Sequence, residues 1–154
     1  MKKLTLLLLL GAALPAFSES IPLPTNTPKS YQGECASCHM AYPPALLSSG
    51  DWKHVIDSLD HHYGTDASLS ATNKQEISTF LERNAGNVRR IGVSAQPTRI
   101  TQTPYFIKKH REVPAKFWQD PRIKSAANCE ACHRGASKGV FSERDIAIPE
   151  LRED

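Results

Sequence analysis

Two short strings in the chain carry the residue types that could do chemistry. Cys-Ala-Ser-Cys-His spans residues 35–39, and Cys-Glu-Ala-Cys-His spans residues 129–133, so the strings begin 94 residues apart. Together they use all four cysteines of the chain. A Cys-x-x-Cys pair could form a disulfide, a redox dithiol or half of a zinc site. None of these chemistries requires a histidine directly after the second cysteine, and here one follows at both places.

Helical geometry explains why this spacing suits a haem. Residues three and four apart share one face of a helix, so Cys35, Cys38 and His39 should point the same way. Two thiols at that spacing can add to the two vinyl groups of a haem, and the imidazole then reaches the iron. The string is the attachment motif of c-type haem. The second string repeats the arrangement with Cys129, Cys132 and His133. We therefore predict two covalently attached haems c, with disulfides or zinc as the alternatives.

Each iron also needs a ligand on its opposite face unless it binds small molecules. Methionine and histidine are the usual choices. Beyond the leader the chain has one methionine, Met40, which points away from the face of His39 and could serve only the other haem. Four histidines remain as candidates, namely His54, His61, His62 and His110.

The segment DWKHVIDSLDHHYG favours His62 among the first three. It predicts a helix from an Asp51 N-cap to about Tyr63, with Gly64 as its stop. The apolar stripe of this helix comprises Trp52, Val55, Ile56, Leu59 and Tyr63. His62 lies at the edge of the stripe, where a haem would pack, whereas His54 and His61 lie opposite it and should face solvent.

His110 is the candidate for the second iron. Thr103 and Pro104 predict the start of a helix, on which His110 shares a face with Phe106 and Ile107. A histidine favoured by the dipole of a helix C-terminus is the alternative. Pairing neighbours in sequence joins His39 with His62 and His133 with His110. Crossed pairing stays open.

The first 18 residues, MKKLTLLLLLGAALPAFS, have the pattern of a cleaved signal peptide. A basic start, an apolar run and a small-x-small site follow one another. The alternative is a membrane anchor, but the run is shorter than the roughly 20 apolar residues that span a bilayer. We therefore expect a periplasmic protein that does not itself span the membrane.

The rest of the chain predicts an all-α fold with two small helical haem-binding units, residues 19–95 and 96–154, packed around two c-type haems. Helices are expected over 31–40, from Asp51, from a Thr72 capping box with Ile77, Phe80 and Leu81 buried, from Thr103, and from Asp120-Pro121 through residue 133. Residues 87–102 indicate a linker or an extended crossover. Each unit is too small to build a sufficient core, so a haem should complete it.

Charge excludes one class of partner. The formal charge of +3 falls to +1 when Lys2 and Lys3 leave with the leader, which is too little for nucleic-acid binding. Residues 108–111 and the pair Arg89-Arg90 could form local docking patches, or simply solvated surface.

Two histidines on each iron leave no site for a substrate, which favours electron transfer and argues against an enzyme. The alternatives are a small dihaem peroxidase or reductase, or a gas-binding protein. Both need one open iron.

The chain resembles the small dihaem cytochrome c family of bacterial periplasms. The resemblance rests on the leader, both cysteine strings, LDHHYGTDASLS, RITQTPYFIKKHREVP and VPAKFWQDPRIKSAANCEACHRG. It implies that His62 and His110 are axial ligands and that the protein is an electron carrier with bis-histidine haems. It also implies redox protein partners, either a membrane b-type cytochrome or a small oxygen-binding monohaem cytochrome.

Overall fold

The computed structural model describes residues 20–151, and this part of the chain is helical. The α-helices are α1 Lys29–Cys35, α2 Ser49–Asp57, α3 Ala71–Asn84, α4 Val88–Ile91, α5 Pro104–Lys109 and α6 Ala115–Trp118. Short 3-10 helices span Pro44–Leu46, Leu59–His61, Ile100–Gln102, Cys129–Ala131, Ala136–Lys138, Glu143–Asp145 and Pro149–Leu151. Within these residues, strand-like pairing is limited to the isolated bridges Ser20–Val140, His62–Thr65 and His133–Ile146. The all-α prediction is confirmed.

The predicted signal peptide lies outside the described residues. Among residues 20–151, no helix combines the length and the apolar character that crossing a bilayer requires.

Helix α2 begins earlier and ends earlier than its sequence predicts. Ser48 is the N-cap, because its hydroxyl accepts a hydrogen bond from the Asp51 amide at 3.0 Å. Asp51 instead lies in the first turn, where a carboxylate is favoured by the helix dipole. The helix ends at Asp57, because the Ser58 hydroxyl donates to the His54 carbonyl at 2.8 Å and competes with the backbone for it. The prediction of one helix from Asp51 to about Tyr63 is therefore wrong.

Helix α3 has the predicted buried face but a different cap. Ile77, Phe80 and Leu81 are buried, as expected. The N-cap is Ser70, whose hydroxyl accepts from the Asn73 amide at 3.2 Å, so the predicted Thr72 capping box does not form.

The C-terminal half differs most from expectation. Thr103 caps α5 as predicted, accepting from the Phe106 amide at 3.1 Å. No long helix opens at Asp120, because its carboxylate accepts from the Arg122 amide at 2.9 Å and Lys124 has a φ of +64°. Both features form turns. The region expected to be a linker also contains α4.

Two apolar clusters of unequal size fill the interior of the described chain. The larger one consists of Tyr31, Ala41, Leu47, Trp52, Val55, Ile56, Ile77, Phe80 and Leu81. The smaller one consists of Phe117, Ile123, Ile146 and Ile148. The division into two units at residues 95 and 96 stays a prediction.

The N-terminal segment reaches across to the C-terminal part of the chain. The Ile21 amide donates to the Gly139 carbonyl at 2.7 Å. Gly139 has a φ of +74°, and a Cβ there would come within 2.3 Å of the Ile21 carbonyl oxygen. Only glycine fits this close approach of two backbones.

Candidate functional site

The first cysteine string straddles the end of a helix. Cys35 is the last residue of α1 and is half-buried, while Cys38 and His39 are exposed in the turn that follows. The expected single helix from Tyr31 to about Met40 is therefore wrong, since the helix stops at the first cysteine. Burial, with a smaller contribution from Glu34, raises the pKa of the Cys35 thiol to about 11.

The second string forms one tight helical turn. The Cys132 amide donates to the Cys129 carbonyl at 3.2 Å, and the His133 amide donates to the same carbonyl at 2.8 Å. Burial raises the pKa of the Cys129 thiol to about 11 and also raises the pKa of Cys132. All four cysteines of the chain are free in the structure. Neutral thiols are poor nucleophiles and poor zinc ligands.

The predicted histidines meet in two pairs. The ring centroids of His39 and His62 lie 6.3 Å apart with 32° between the ring planes. Those of His110 and His133 lie 6.1 Å apart with 85° between the planes. We call Cys35, Cys38, His39 and His62 the first site, and His110, Cys129, Cys132 and His133 the second site.

The spacing within each pair fits one metal ion between two imidazoles. A ring nitrogen lies ~1.1 Å from the ring centroid and about 2.0 Å from a bound metal, so two opposed ligands should have centroids about 6.2 Å apart. The observed distances of 6.3 and 6.1 Å match this span. In the described residues, no three side chains of His, Cys, Asp or Glu gather into a metal site of their own. The donor sets thus fit a haem iron held between two histidines.

Carbonyl oxygens orient two of the four rings. His39 Nδ1 lies 2.7 Å from the Met40 carbonyl, and His110 Nδ1 lies 2.9 Å from the Phe106 carbonyl. A ring that donates from Nδ1 keeps its Nε2 lone pair available for a metal, which is the usual arrangement of histidine ligands.

A tight turn, not a helix face, positions His62. Tyr63 and Gly64 have φ values of +50° and +97°, and the Thr65 amide donates to the His62 carbonyl at 3.1 Å. This is a turn with two left-handed residues. Burial, followed by the nearby His39 and the Arg99 guanidinium, lowers the pKa of His62. The neutral form, which binds metals, is therefore favoured.

Tyr63 is anchored on both sides. Its hydroxyl donates to the Thr98 carbonyl, and the Arg99 guanidinium lies 4.0 Å from its ring centroid. These contacts offset the cost of a positive φ at a residue with a side chain.

The two histidines expected to face solvent do so. His54 is exposed on α2. The His61 side chain is 85% exposed, and its Nδ1 lies 2.9 Å from Asp60.

The second site lines a cavity of about 410 Å³. All four of its residues contribute to the wall, and the apolar side chains around them include Phe106, Val113, Trp118, Ile123, Phe141 and Ile146. The Phe106 ring stacks on His110 at 3.9 Å between centroids. Such a wall suits a flat apolar macrocycle.

Sequence reasoning missed two aromatic residues at the sites. The Tyr42 ring lies 4.7 Å from that of His39, and the Phe141 ring lies 5.6 Å from that of His133. An aromatic residue three positions after His39 was a usable signal for Tyr42. No local pattern indicated Phe141.

Comparison with known proteins agrees with this geometry. The family model described as dihaem cytochrome c matches residues 31–141, a range that contains all eight residues of the two sites. A solved diheme cytochrome type c from Shewanella baltica OS155 is 37% identical and aligns with a TM-score of 0.70 over 82% of this chain and 97% of that chain.

Two solved structures from Rhodobacter sphaeroides are also similar. A diheme cytochrome c is 34% identical, with a TM-score of 0.68 over 78% of this chain and 99% of that chain. A structure of purified DHC is 38% identical, with a TM-score of 0.65 over 75% of this chain and 97% of that chain. Comparison with curated proteins gives no significant match. The chain therefore belongs to the dihaem cytochrome c family and carries two covalently bound c-type haems.

Proposed function

We propose that the protein is a one-electron carrier in which each haem iron is closed by two histidines. His39 and His62 hold one iron, and His110 and His133 hold the other. Thioether links from Cys35 and Cys38, and from Cys129 and Cys132, attach the porphyrins. The observation that carries the proposal is the spacing of 6.3 and 6.1 Å between paired ring centroids. Family membership supports a haem-based electron carrier.

Each haem supplies an iron that gains or loses one electron. The side chains around it set how readily that happens. Two imidazoles per iron exclude substrate from the metal and give a lower potential than a methionine ligand would. The carbonyls at Met40 and Phe106 keep two of the rings oriented, so little rearrangement accompanies a change in charge. A closed, preoriented ligand set suits electron transfer better than catalysis.

Single substitutions test the ligand assignment. His62→Ala and His110→Ala should each convert one haem from low spin to high spin, as read from the optical and magnetic spectra of purified protein. His61→Ala is the matched control, because His61 neighbours His62 but is exposed and should leave both haems low spin.

The rival functions make opposite predictions for the unaltered protein. An enzyme or a gas-binding protein needs an open iron, so a high-spin band or rapid carbon monoxide binding to the reduced protein would favour one of them. The electron-carrier proposal expects neither.

A basic surface beside the second site suggests where a redox partner docks. We define this surface as Arg89, Arg90, Lys108, Lys109 and Arg111, all exposed, on α4 and α5 and at the end of α5. Exposed Val88, Val93 and Ile107 lie on the same two helices and the loop between them. Apolar residues among cations form a surface that fits an acidic redox protein.

The location of this surface connects it to the second iron. Helix α4 packs on α5, and the Arg90 guanidinium lies 5.6 Å from the centroid of the Tyr105 ring. His110, the proposed ligand, lies between Lys109 and Arg111 in sequence. A partner bound here would exchange electrons with the second haem first. The membrane b-type cytochrome and the small oxygen-binding monohaem cytochrome are the proposed partners.

Anionic ferricyanide is a simple probe of the basic surface. Lys108→Glu should slow oxidation of the reduced protein by ferricyanide at low ionic strength. The difference should shrink at 0.15 M salt, where the Debye length is about 8 Å. Lys74→Glu makes the same charge change on exposed α3 and should have a smaller effect. Equal slowing by both variants would remove the case for a localised docking surface.

We also propose a periplasmic location, which the leader supports. Cell fractionation of a strain that expresses the full chain tests it. Mature protein lacking the leader should appear in the periplasmic fraction.

A further inference from the structure

One tyrosine reaches from the first site to the backbone beside the second site. The Tyr42 ring lies 4.7 Å from the His39 ring, with 31° between the two planes. At its other end, the Tyr42 hydroxyl donates a hydrogen bond to the Ala127 carbonyl at 2.7 Å. The Tyr31 hydroxyl donates to the Tyr42 carbonyl at 2.5 Å and fixes the backbone from which the ring projects.

The carbonyl that accepts from the Tyr42 hydroxyl is also hydrogen-bonded to a residue of the second site. The Cys129 amide donates to the same Ala127 carbonyl at 3.0 Å, and Cys129 Sγ lies 3.6 Å from its oxygen. A chain of contacts therefore runs from His39 through Tyr42 and Ala127 to Cys129. It joins the proposed ligand of one iron to the proposed attachment residue of the other haem, although the two are far apart in sequence.

A second tyrosine makes a similar arrangement without the link. The Tyr63 ring lies 4.6 Å from His62, and its hydroxyl donates to the Thr98 carbonyl. Tyr42 and Tyr63 thus each pack on one proposed ligand of the first iron, and the carbonyl that accepts from the Tyr42 hydroxyl also accepts from the amide of the second-site residue Cys129.

We propose that Tyr42 couples the two haem sites, both by holding the plane of the His39 ring and by offering electrons a bonded route through the Ala127 carbonyl to Cys129. The inference rests on the proposed function. With both haems bound, an electron that left a ferrous iron at one site would be taken up by a ferric iron at the other, so no further oxidant or reductant would be needed. Tyr42 keeps its proton and its oxidation state throughout, so it is a positioning residue and not a redox intermediate.

Three variants separate the parts of this role. Tyr42→Phe keeps the ring on His39 and removes only the hydroxyl. Tyr42→Leu removes the ring as well. Tyr63→Phe is the matched control, since it removes the hydroxyl of the tyrosine that packs on His62, the other proposed ligand of the first iron. Haem content is first checked by mass, and the spin state of both irons by optical and magnetic spectra.

The decisive readout is the rate of electron redistribution between the haems after one-electron reduction by pulse radiolysis. Tyr42→Phe should slow redistribution several-fold and leave the magnetic signals of both haems in place. Tyr42→Leu should slow it further and shift the signal of the first site. Tyr63→Phe loses the bond to Thr98 that supports the His62 turn but no bond toward Cys129, so it should slow redistribution less than Tyr42→Phe does.

The outcomes distinguish this inference from the proposed function. If the unaltered protein contains a high-spin iron, the proposed function fails whatever Tyr42 does. If both irons are low spin and Tyr42→Phe redistributes electrons at the unaltered rate, the coupling role of Tyr42 is wrong and electrons pass directly between the porphyrins. Equal slowing by Tyr63→Phe would also overturn it. If Tyr42→Leu fails to load haem, the comparison of the redistribution rates of Tyr42→Phe and Tyr63→Phe tests the inference.

Discussion

The two sites share the Cys-x-x-Cys-His pattern and differ in the exposure and ring geometry of the residues around it. At the first site, Cys38 and His39 are exposed and the histidine planes are 32° apart. At the second, the donors line a cavity of about 410 Å³ and the planes are 85° apart. The two strings have the same residue pattern, whereas the surrounding fold sets the exposure of each site and the relative orientation of its paired histidine rings.

The formal charge of the two parts of the chain differs as well, although Arg99 of the second part lies beside His62 of the first site. Residues 20–87 contain 4 Lys and Arg against 7 Asp and Glu, a formal charge of −3, whereas residues 88–151 contain 12 against 6, a formal charge of +6. The whole-chain charge conceals this asymmetry. The second site lies in the positively charged part of the chain, where the additional positive charge of a ferric iron would be disfavoured relative to the ferrous form.

The largest expected difference between the sites is the loss of protein stability when the haem of one site or the other is removed. The four side chains of the smaller cluster contribute about 1.5–3 kcal/mol each. Cys129→Ala with Cys132→Ala should therefore destabilise the protein more than Cys35→Ala with Cys38→Ala, since the first site is next to the larger cluster. Mass and thermal unfolding measure this. Equal loss in the two double variants would mean that the clusters depend on their haems alike.

The rate at which an added ligand enters should also differ between the two sites. In His62→Ala and His110→Ala, added imidazole can fill the vacated position and restore a low-spin spectrum. We expect faster recovery in His62→Ala, because Cys38 and His39 of the first site are exposed, whereas all four residues of the second site are partly buried. Stopped-flow absorbance measures the rate. Faster entry at the second site would mean that its cavity opens readily to solvent.

The two reduction potentials should also differ. Partial burial and positively charged surroundings both disfavour the ferric form, so the second haem should have the higher potential. A potentiometric titration followed by magnetic resonance should show the signal of the second site disappearing first as the potential is lowered. Lys108→Glu should lower the potential of the second haem and so reduce the difference between the two potentials. Lys74→Glu, at an exposed position on α3, should leave that difference unchanged. The opposite order of reduction would contradict the electrostatic part of this comparison.

The smallest effect expected is a local loss of stability near the first site. Ser48→Ala removes the N-cap of α2, and such caps contribute about 1 kcal/mol. The Ser48 hydroxyl also donates to the buried Asp51 carboxylate at 2.7 Å. Denaturant unfolding should register the loss, and the spectrum of the second site should stay unchanged. A changed second-site spectrum would show that α2 is coupled to the far site.

Much of the site could be predicted from the sequence because its chemistry is local. The cysteine strings are contiguous, and the cap at Thr103 involves residues three apart. The choice of His62 rested on a helix that in fact ends at Asp57. The position of His62 beside His39 therefore owes more to the Tyr63-Gly64 turn than to the periodicity used to choose it. That part of the reasoning was wrong even though the two rings meet.

The remaining features could not be predicted because they depend on contacts distant in sequence. Tyr42 meets Ala127 across 85 positions, and Ile21 meets Gly139 across the whole described chain. The expected helix from Asp120 failed for a local reason, the Asx turn to Arg122, which competes with the helical pattern. Periodicity alone does not weigh such side-chain hydrogen bonds.

Low-temperature electron paramagnetic resonance of the fully oxidised protein tests the central claim most directly. Near-parallel imidazole planes split the iron d orbitals, and perpendicular planes keep two of them nearly degenerate. We therefore predict two low-spin ferric signals of equal intensity, a rhombic one from the first site and one with a much larger maximum g value from the second. A high-spin ferric signal in the unaltered protein would contradict the account.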